Sequence, residues 1–401
     1  MRVLVPAALV LCLAGCCYYT PRATVRPGPL PGPAPTGEPS VRVRLTAGNI
    51  TFLSSGRGLT LASGSSRQSV GSNQSIQVSL DGGLVVATGG PATLRTADTL
   101  AVAVGGDGVA TTAPVGQFVR VGDRSYRGRL LIFRSADGDL AVVNVLGLEE
   151  YLLGVVPCEI GPINARTLEA AKAQAVAARS FTMTRLGRRK GLGHDLFDSY
   201  MRDQEYRGIE RETELSRQAV SATRGEVLEF GDEVCEALYH GNCGGVTANG
   251  SRPYLKSVPD TPGHHRGGKA YCSGKPNSSW QASFLNDSLD AVVGRISGKK
   301  CQVRSASLET DRQSGRVRYL HFATDHGSFR VPGSDFRMAM GLRSTAFTVS
   351  IRGRTVSFSG RGWGHGSGMC QDGASAMAEA GASYREILQQ YYSGASLKKR
   401  Y

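Results

Sequence analysis

Between Leu168 and Leu186 a helix would be apolar on nearly every side. At 100° per residue, Leu168, Ala170, Ala171, Ala173, Ala175, Val176, Ala177, Ala178 and Phe181 fall almost all round its axis. Such a helix is buried, and its alanines let neighbours approach closely. Asn164 or Thr167 can cap its start, and Gly187 ends it with Arg188, Arg189 and Lys190 beyond. Lys172 and Arg179 are seven residues apart, so they share a stripe about 20° wide. Buried cations need anionic partners. Either internal carboxylates satisfy the pair, or the stripe faces a cleft.

The high glycine content points to turn-rich β structure elsewhere in the chain. Glycine supplies 52 of 401 residues, about 13 % against a usual ~7 %, and without the G-x-y period of collagen. From Val41 to about Val121, short alternating or β-branched runs (Val41 to Leu45, Ile76 to Leu80, Leu84 to Thr88) are broken by Gly-rich turns. Leu80-Asp81-Gly82-Gly83-Leu84 is a hairpin signal. Leu130 to Arg134 and Leu140 to Val145, around Ala136-Asp137-Gly138-Asp139, form a second. No Cys and no cluster of acids falls in the 41–121 stretch, which suits support or glycan contact.

The N-terminus predicts export. Met1-Arg2 precedes an apolar run from Val3 to Leu13, too short for a bilayer span of roughly 20 residues. The run ends in Leu13-Ala14-Gly15-Cys16, and Pro21 to Pro39 then carries seven prolines, an extended, semi-rigid tether. Six cysteines remain beyond it: Cys158, Cys235, Cys243, Cys272, Cys301 and Cys370. An oxidising location favours disulfides, with 15 pairings open. The formal charge, 47 basic minus 33 acidic residues or +14, suits polyanions such as nucleic acid, phospholipid or acidic wall polymers. Export and the lack of a basic-aromatic module exclude nucleic acid.

Near the C-terminus, Phe358 to Trp363 reads as a strand entering the loop Gly360-Arg361-Gly362-Trp363-Gly364-His365-Gly366-Ser367-Gly368. That loop lacks the Lys and spacing of a P-loop. A helix is predicted over 369–380, and Ser383-Tyr384-Arg385-Glu386 is a capping box that opens a last helix through Tyr392.

Three blocks of the chain resemble the stage II sporulation protein D and LytB (amidase-enhancer) family of bacterial cell-wall proteins. The first is Leu148-Glu149-Glu150-Tyr151-Leu152-Leu153-Gly154-Val155-Val156-Pro157-Cys158-Glu159, followed by Ala171-Lys172-Ala173-Gln174-Ala175-Val176-Ala177-Ala178-Arg179. The second is Asp203-Gln204-Glu205-Tyr206-Arg207-Gly208, with Tyr239-His240 and Cys243-Gly244-Gly245-Val246-Thr247. The third is Gly360 to Gly366 with Met369-Cys370-Gln371-Asp372-Gly373-Ala374 and the helix after Tyr384. The start of the chain likewise resembles a bacterial lipobox, which would make Cys16 the lipidated residue.

The resemblance implies an α+β fold, a β-rich N-terminal region plus a mixed α/β catalytic domain with the Ala-rich helix beside its cleft. The expected divisions are 1–15 signal peptide, 16–40 tether, 41–125 β-rich region and 126–401 family domain. It also implies a lytic transglycosylase acting on peptidoglycan glycan strands stripped of stem peptides, or a non-catalytic glycan-binding partner of a cell-wall amidase. Glu159 matches the catalytic glutamate. A single carboxyl can protonate the glycosidic oxygen and then take the proton of the sugar's C6 hydroxyl. An ordinary hydrolase would need a second acid about 5–9.5 Å away, for which Asp198, Asp203 and Asp372 are the available residues. A dry pocket beside Val155-Val156-Pro157 would raise the glutamate's pKa.

In this reading Lys172 and Arg179 hold the lactyl carboxylates of muramic acid, Trp363, His365 and Gln371 line the opposite wall, and Gln204 and Tyr206 touch glycan. Two disulfides are expected, Cys158–Cys370 and Cys243–Cys272. The competing reading of the second is zinc, since some relatives hold it nearby: His240, Cys243 and Cys272, with His264 and His265, would supply N and S ligands. No other cofactor is implied. The protein is expected outside the cytoplasm, anchored by lipid and facing the periplasm or cell wall.

Overall fold

The computed structural model describes residues 37–105, 118–264 and 267–401. The expected signal peptide, Cys16, most of the expected tether and His265 lie outside them. No helix among the described residues is long and apolar enough to cross a membrane.

The alternating runs form two large sheets. One has the spatial order Leu196–Phe197, Ser40–Arg44, Leu140–Gly147, Arg129–Arg134, Leu100–Val104, Leu59–Ser63, Ser66–Val70. The other runs Arg124–Tyr126, Val119–Val121, Ile50–Ser54, Ser75–Asp81, Leu84–Gly89, Ala92–Thr96. Both expected hairpins are present, closing at Asp81↔Leu84 and Arg134↔Leu140. Gly82 and Gly83 have φ of 56° and 83°, the left-handed pair that a two-residue hairpin turn needs.

Strands on either side of the expected 125/126 boundary share a sheet, as Leu131 opposite Ala101 shows. They also share a core: Val43, Leu61, Val102, Ile132, Val155 and Val176 belong to one buried cluster. The β-rich N-terminal region and the family domain therefore bury apolar surface together.

Leu140–Gly147, buried at every position, runs directly into helix α1 (Leu148–Glu159). The Ala-rich segment becomes α2 (Leu168–Arg185), and α3 (Glu214–Ala222) follows. Of the two residues that could cap α2, Asn164 does so one turn early, accepting from Arg166 N and Thr167 N at the head of a 3-10 turn. Thr167 makes no side-chain cap bond to α2.

Residues 279–361 form a separate compact unit. It contains α4 (Asn286–Ser297), α5 (Gly333–Met340) and two three-stranded sheets. Its own core gathers Trp280, Leu320, Phe322, Phe336, Phe347 and Phe358. The chain then returns through Met369–Cys370, which pairs in parallel with Tyr239–His240, to α6 (Gln371–Glu379) and α7 (Tyr384–Tyr391). The Ser383 capping box forms as expected. The 369–380 helix starts two residues late because Met369 and Cys370 are spent on the strand pairing.

Helices α1, α3, α6 and α7 all pack on α2, which is why nearly every face of it is apolar. On α1 itself, Gly154 admits the 206–208 segment: a Cβ there would lie 2.5 Å from Gly208 O and 2.7 Å from Tyr206 Cε2. The fold class is α+β, as expected.

Candidate active site

Glu159 is the last residue of α1, so its side chain leaves the helix at a terminus instead of being packed along its length. The residue is partly exposed. Its Oε1 accepts the backbone N–H of Glu205 at 2.7 Å, and the side chains of Gln371 and Tyr239 also hydrogen-bond it. Burial of the carboxyl outweighs these contacts and pushes its pKa up to about 7; the Glu205 charge adds to the rise, while the three hydrogen bonds oppose it. A carboxyl in that range is populated in both protonation states near neutrality, which acid-then-base work requires.

Gln204, expected to touch glycan, is fully buried and acts behind Tyr239. Its Nε2 donates to Tyr239 Oη at 2.8 Å, and its Oε1 accepts from Tyr151 Oη at 3.1 Å and Thr182 Oγ1 at 2.8 Å. Tyr206 is also buried, with its hydroxyl donating to Asn144 Oδ1 at 2.9 Å. Both are therefore internal supports, not contact residues. The cause is the Gly154 approach, which draws the second block into the core.

The cationic stripe divides likewise. Arg179 is completely buried and bidentate on Glu149, with Nε to Oε1 at 2.8 Å and Nη2 to Oε2 at 2.7 Å, and its Nη1 donates to Glu226 O at 3.0 Å. The internal partner anticipated as one of two readings is Glu149, and Arg179 has no path to a ligand carboxylate. Lys172 is partly exposed and pairs with Glu169 at 2.5 Å.

On the third block, Gln371 is nearly buried and its Nε2 reaches Gln174 Oε1 at 3.3 Å. His365 is exposed; its Nδ1 accepts from Ser367 N at 3.1 Å, leaving Nε2 to donate to Tyr239 O at 3.0 Å. It thus braces the backbone of the tyrosine that holds Glu159. Trp363 pairs through its backbone with Asn242 and keeps its side chain 43 % exposed.

The acids considered for a second catalytic role are engaged elsewhere. Asp198 accepts from Thr46 N and Oγ1, Asp203 is paired with Arg189 and Asp372 accepts from Asn242 Nδ2 at 2.8 Å.

The structure brings together Cys243 and Cys272 of one expected pair, but not Cys158 and Cys370 of the other. Cys370 does not face Cys158. Its Sγ lies with Cys243 Sγ, Cys272 Sγ and a carboxylate oxygen of Asp260, all four within 4.8 Å of one another. All six described cysteines are free in this structure, although Cys243 and Cys272 Sγ stand only 3.5 Å apart. Of the expected nitrogen ligands, His240 is not in the group, since its Nδ1 meets Ser367 O at 3.1 Å. His264 is exposed and also outside it.

Residues 136–230 match a family model described as stage II sporulation protein. An uncharacterized protein of Brachyspira hyodysenteriae is 31 % identical over 276 residues, 68 % of this chain and 72 % of that protein. Stage II sporulation protein D of Bacillus subtilis is 30 % identical over 292 residues, covering 67 % of this chain and 78 % of its own length. The chain belongs to the stage II sporulation protein D family. The amidase enhancer of Bacillus subtilis is 31 % identical over 292 residues, 61 % of this chain and 40 % of that protein.

For this sporulation protein D family member, motif reading finds Glu159 but not what holds it. Tyr239 stands in the second block with no role that its neighbours reveal. The Glu205 contact is a backbone amide, invisible as a residue type. Asp260 carries no local signal, because it meets the cysteines only through loop closure.

Proposed function

We propose that the chain is an exported cell-wall protein that cleaves peptidoglycan glycan strands as a lytic transglycosylase, with Glu159 as its single acid and base. The observation that carries this is the carboxyl of a partly exposed residue at the end of α1, held by the Glu205 amide and two neutral side chains, with burial pushing its pKa up to about 7. In the first step protonated Glu159 donates to the glycosidic oxygen as the bond from that oxygen to C1 breaks. The Glu159 carboxylate then takes the proton of the C6 hydroxyl while O6 bonds to C1, closing a 1,6-anhydro ring. No water enters the balance and the proton returns to Glu159.

Tyr239, Gln371 and the Glu205 N–H fix the carboxyl's orientation through both steps. Trp363 offers an exposed ring for stacking on a sugar face. Lys172 is the cation of the stripe that can exchange partners, since a partly exposed pair with Glu169 is worth under about 1 kcal/mol. It would meet the lactyl carboxylate of a muramic acid lacking its peptide. A lipid on Cys16 would hold the domain at a membrane, with the proline tether as spacer.

The test is incubation of the full chain, beside Glu159→Gln, with glycan strands lacking stem peptides, followed by mass spectrometry of the new ends. Anhydro-muramic ends from the wild type alone are expected. A second reading, a glycan-binding enhancer of a cell-wall amidase, is favoured by the likeness to the amidase enhancer; it gives binding without cleavage and a faster amidase in the same mixture.

A further inference from the structure

We propose that Cys243, Cys272, Cys370 and Asp260 form a closed, four-ligand site for a structural zinc ion. The donor atoms come from three stretches of chain. Cys243 follows the Tyr239–His240 strand, and Cys370 ends the strand paired with it in parallel. Asp260 and Cys272 lie on a loop pinned by Asp260 N to Gly245 O at 3.0 Å and Tyr271 N to Asp260 O at 2.7 Å. All four residues are at most 1 % exposed. A tetrahedral zinc with sulfur ligands at about 2.3 Å sets donors roughly 3.8 Å apart. The observed spread, from 3.5 Å for Cys243 and Cys272 up to the 4.8 Å limit, brackets that spacing.

The surroundings are built for anionic sulfur. Cys370 Sγ accepts two backbone amides, from Cys243 at 3.2 Å and Gly373 at 3.4 Å, and it caps the N-terminus of α6. Cys243 Sγ accepts the amide of Gly245 at 3.3 Å. Thiols are weak acceptors, whereas thiolates bound to a metal attract such donors. Asp260 is the second observation. Its carboxylate is buried between Tyr391 Oη at 2.6 Å and Cys272 N at 2.9 Å, neither of which is a cation, and a buried carboxylate without a countercharge is costly. A divalent ion supplies that charge. Gly373 keeps the space open: a Cβ there would lie 2.2 Å from Tyr391 Oη and 2.5 Å from Asp260 Oδ1. Three thiolates and one carboxylate, closed to solvent, is a donor set for structural zinc.

The site would tie the strand that carries Tyr239 to the residue preceding Gln371, and so hold both of Glu159's side-chain partners. It stands independently of the transglycosylase reading.

The test uses the full chain, purified under reducing conditions without chelator. Elemental analysis is expected to find one zinc per chain, and cobalt exchanged into it to give the absorption of a tetrahedral thiolate site. Cys370→Ser and Asp260→Asn are expected to lose the metal, while Cys235→Ser keeps it. Because the wild-type readings need no variant, misfolding of a variant leaves the proposal testable. Wild-type protein without metal and with a Cys243–Cys272 disulfide would overturn it, as would equal zinc in wild type and both ligand variants.

Discussion

Opposing contacts set the pKa of the Glu159 carboxyl, and each contact has a sign. Removing a hydrogen bond that favours the carboxylate raises the pKa, so Tyr239→Phe is expected to move the alkaline limb of cleavage to higher pH. Removing the Glu205 charge lowers it, and Glu205→Gln is expected to move the same limb to lower pH. A pH profile in which both variants shift alike would contradict this electrostatic picture. The stability linkage runs in a definite direction too. A carboxyl raised from 4.5 to about 7 in the fold contributes fully below about pH 4.5, and that contribution is lost as pH rises through 7. Glu159→Gln should therefore resist urea better than wild type above about pH 7 and no better in acid. The sequence made Glu159 legible because a motif marks it. Its hydrogen-bond partners stayed hidden because they are an amide and two side chains 80 or more positions away. Arg179 misled for the same reason, since the heptad spacing located its stripe but not Glu149, one helix earlier.

At the scale of elements, α2 is the pivot and its buried Arg179 is structural. Arg179→Gln leaves Glu149 buried beside Tyr401 Oη and Gly225 N without its cation, and should cost about 3–5 kcal/mol of stability. Lys172→Gln should cost under about 1 kcal/mol and, if the glycan reading holds, weaken strand binding instead. Urea melts of the two variants separate these roles. Ser383→Ala, which removes the cap at Glu386 N, should cost about 1 kcal/mol. Hairpins, helices and caps were readable here because each depends on residues within a few positions of one another. The Met369–Cys370 strand was not, because its partner lies 130 residues earlier.

For the whole molecule, the 279–361 unit is the feature that composition and periodicity do not reveal, since an insertion changes connectivity and not local pattern. Ser279 and Arg361 are paired opposite each other, so the ends of the unit stand about 5 Å apart. Replacing residues 279–361 by a short Gly/Ser linker is expected to leave the remaining chain folded, with its cooperative melt intact. The central claim, that one carboxyl cleaves glycan without water, is tested most directly by running the reaction in oxygen-18 water. Cleavage with no label in the new ends is the expected result. One labelled oxygen at C1 of the new reducing end, with none on the hydroxyl released at the other end, would mean hydrolysis and would contradict the single-carboxyl account.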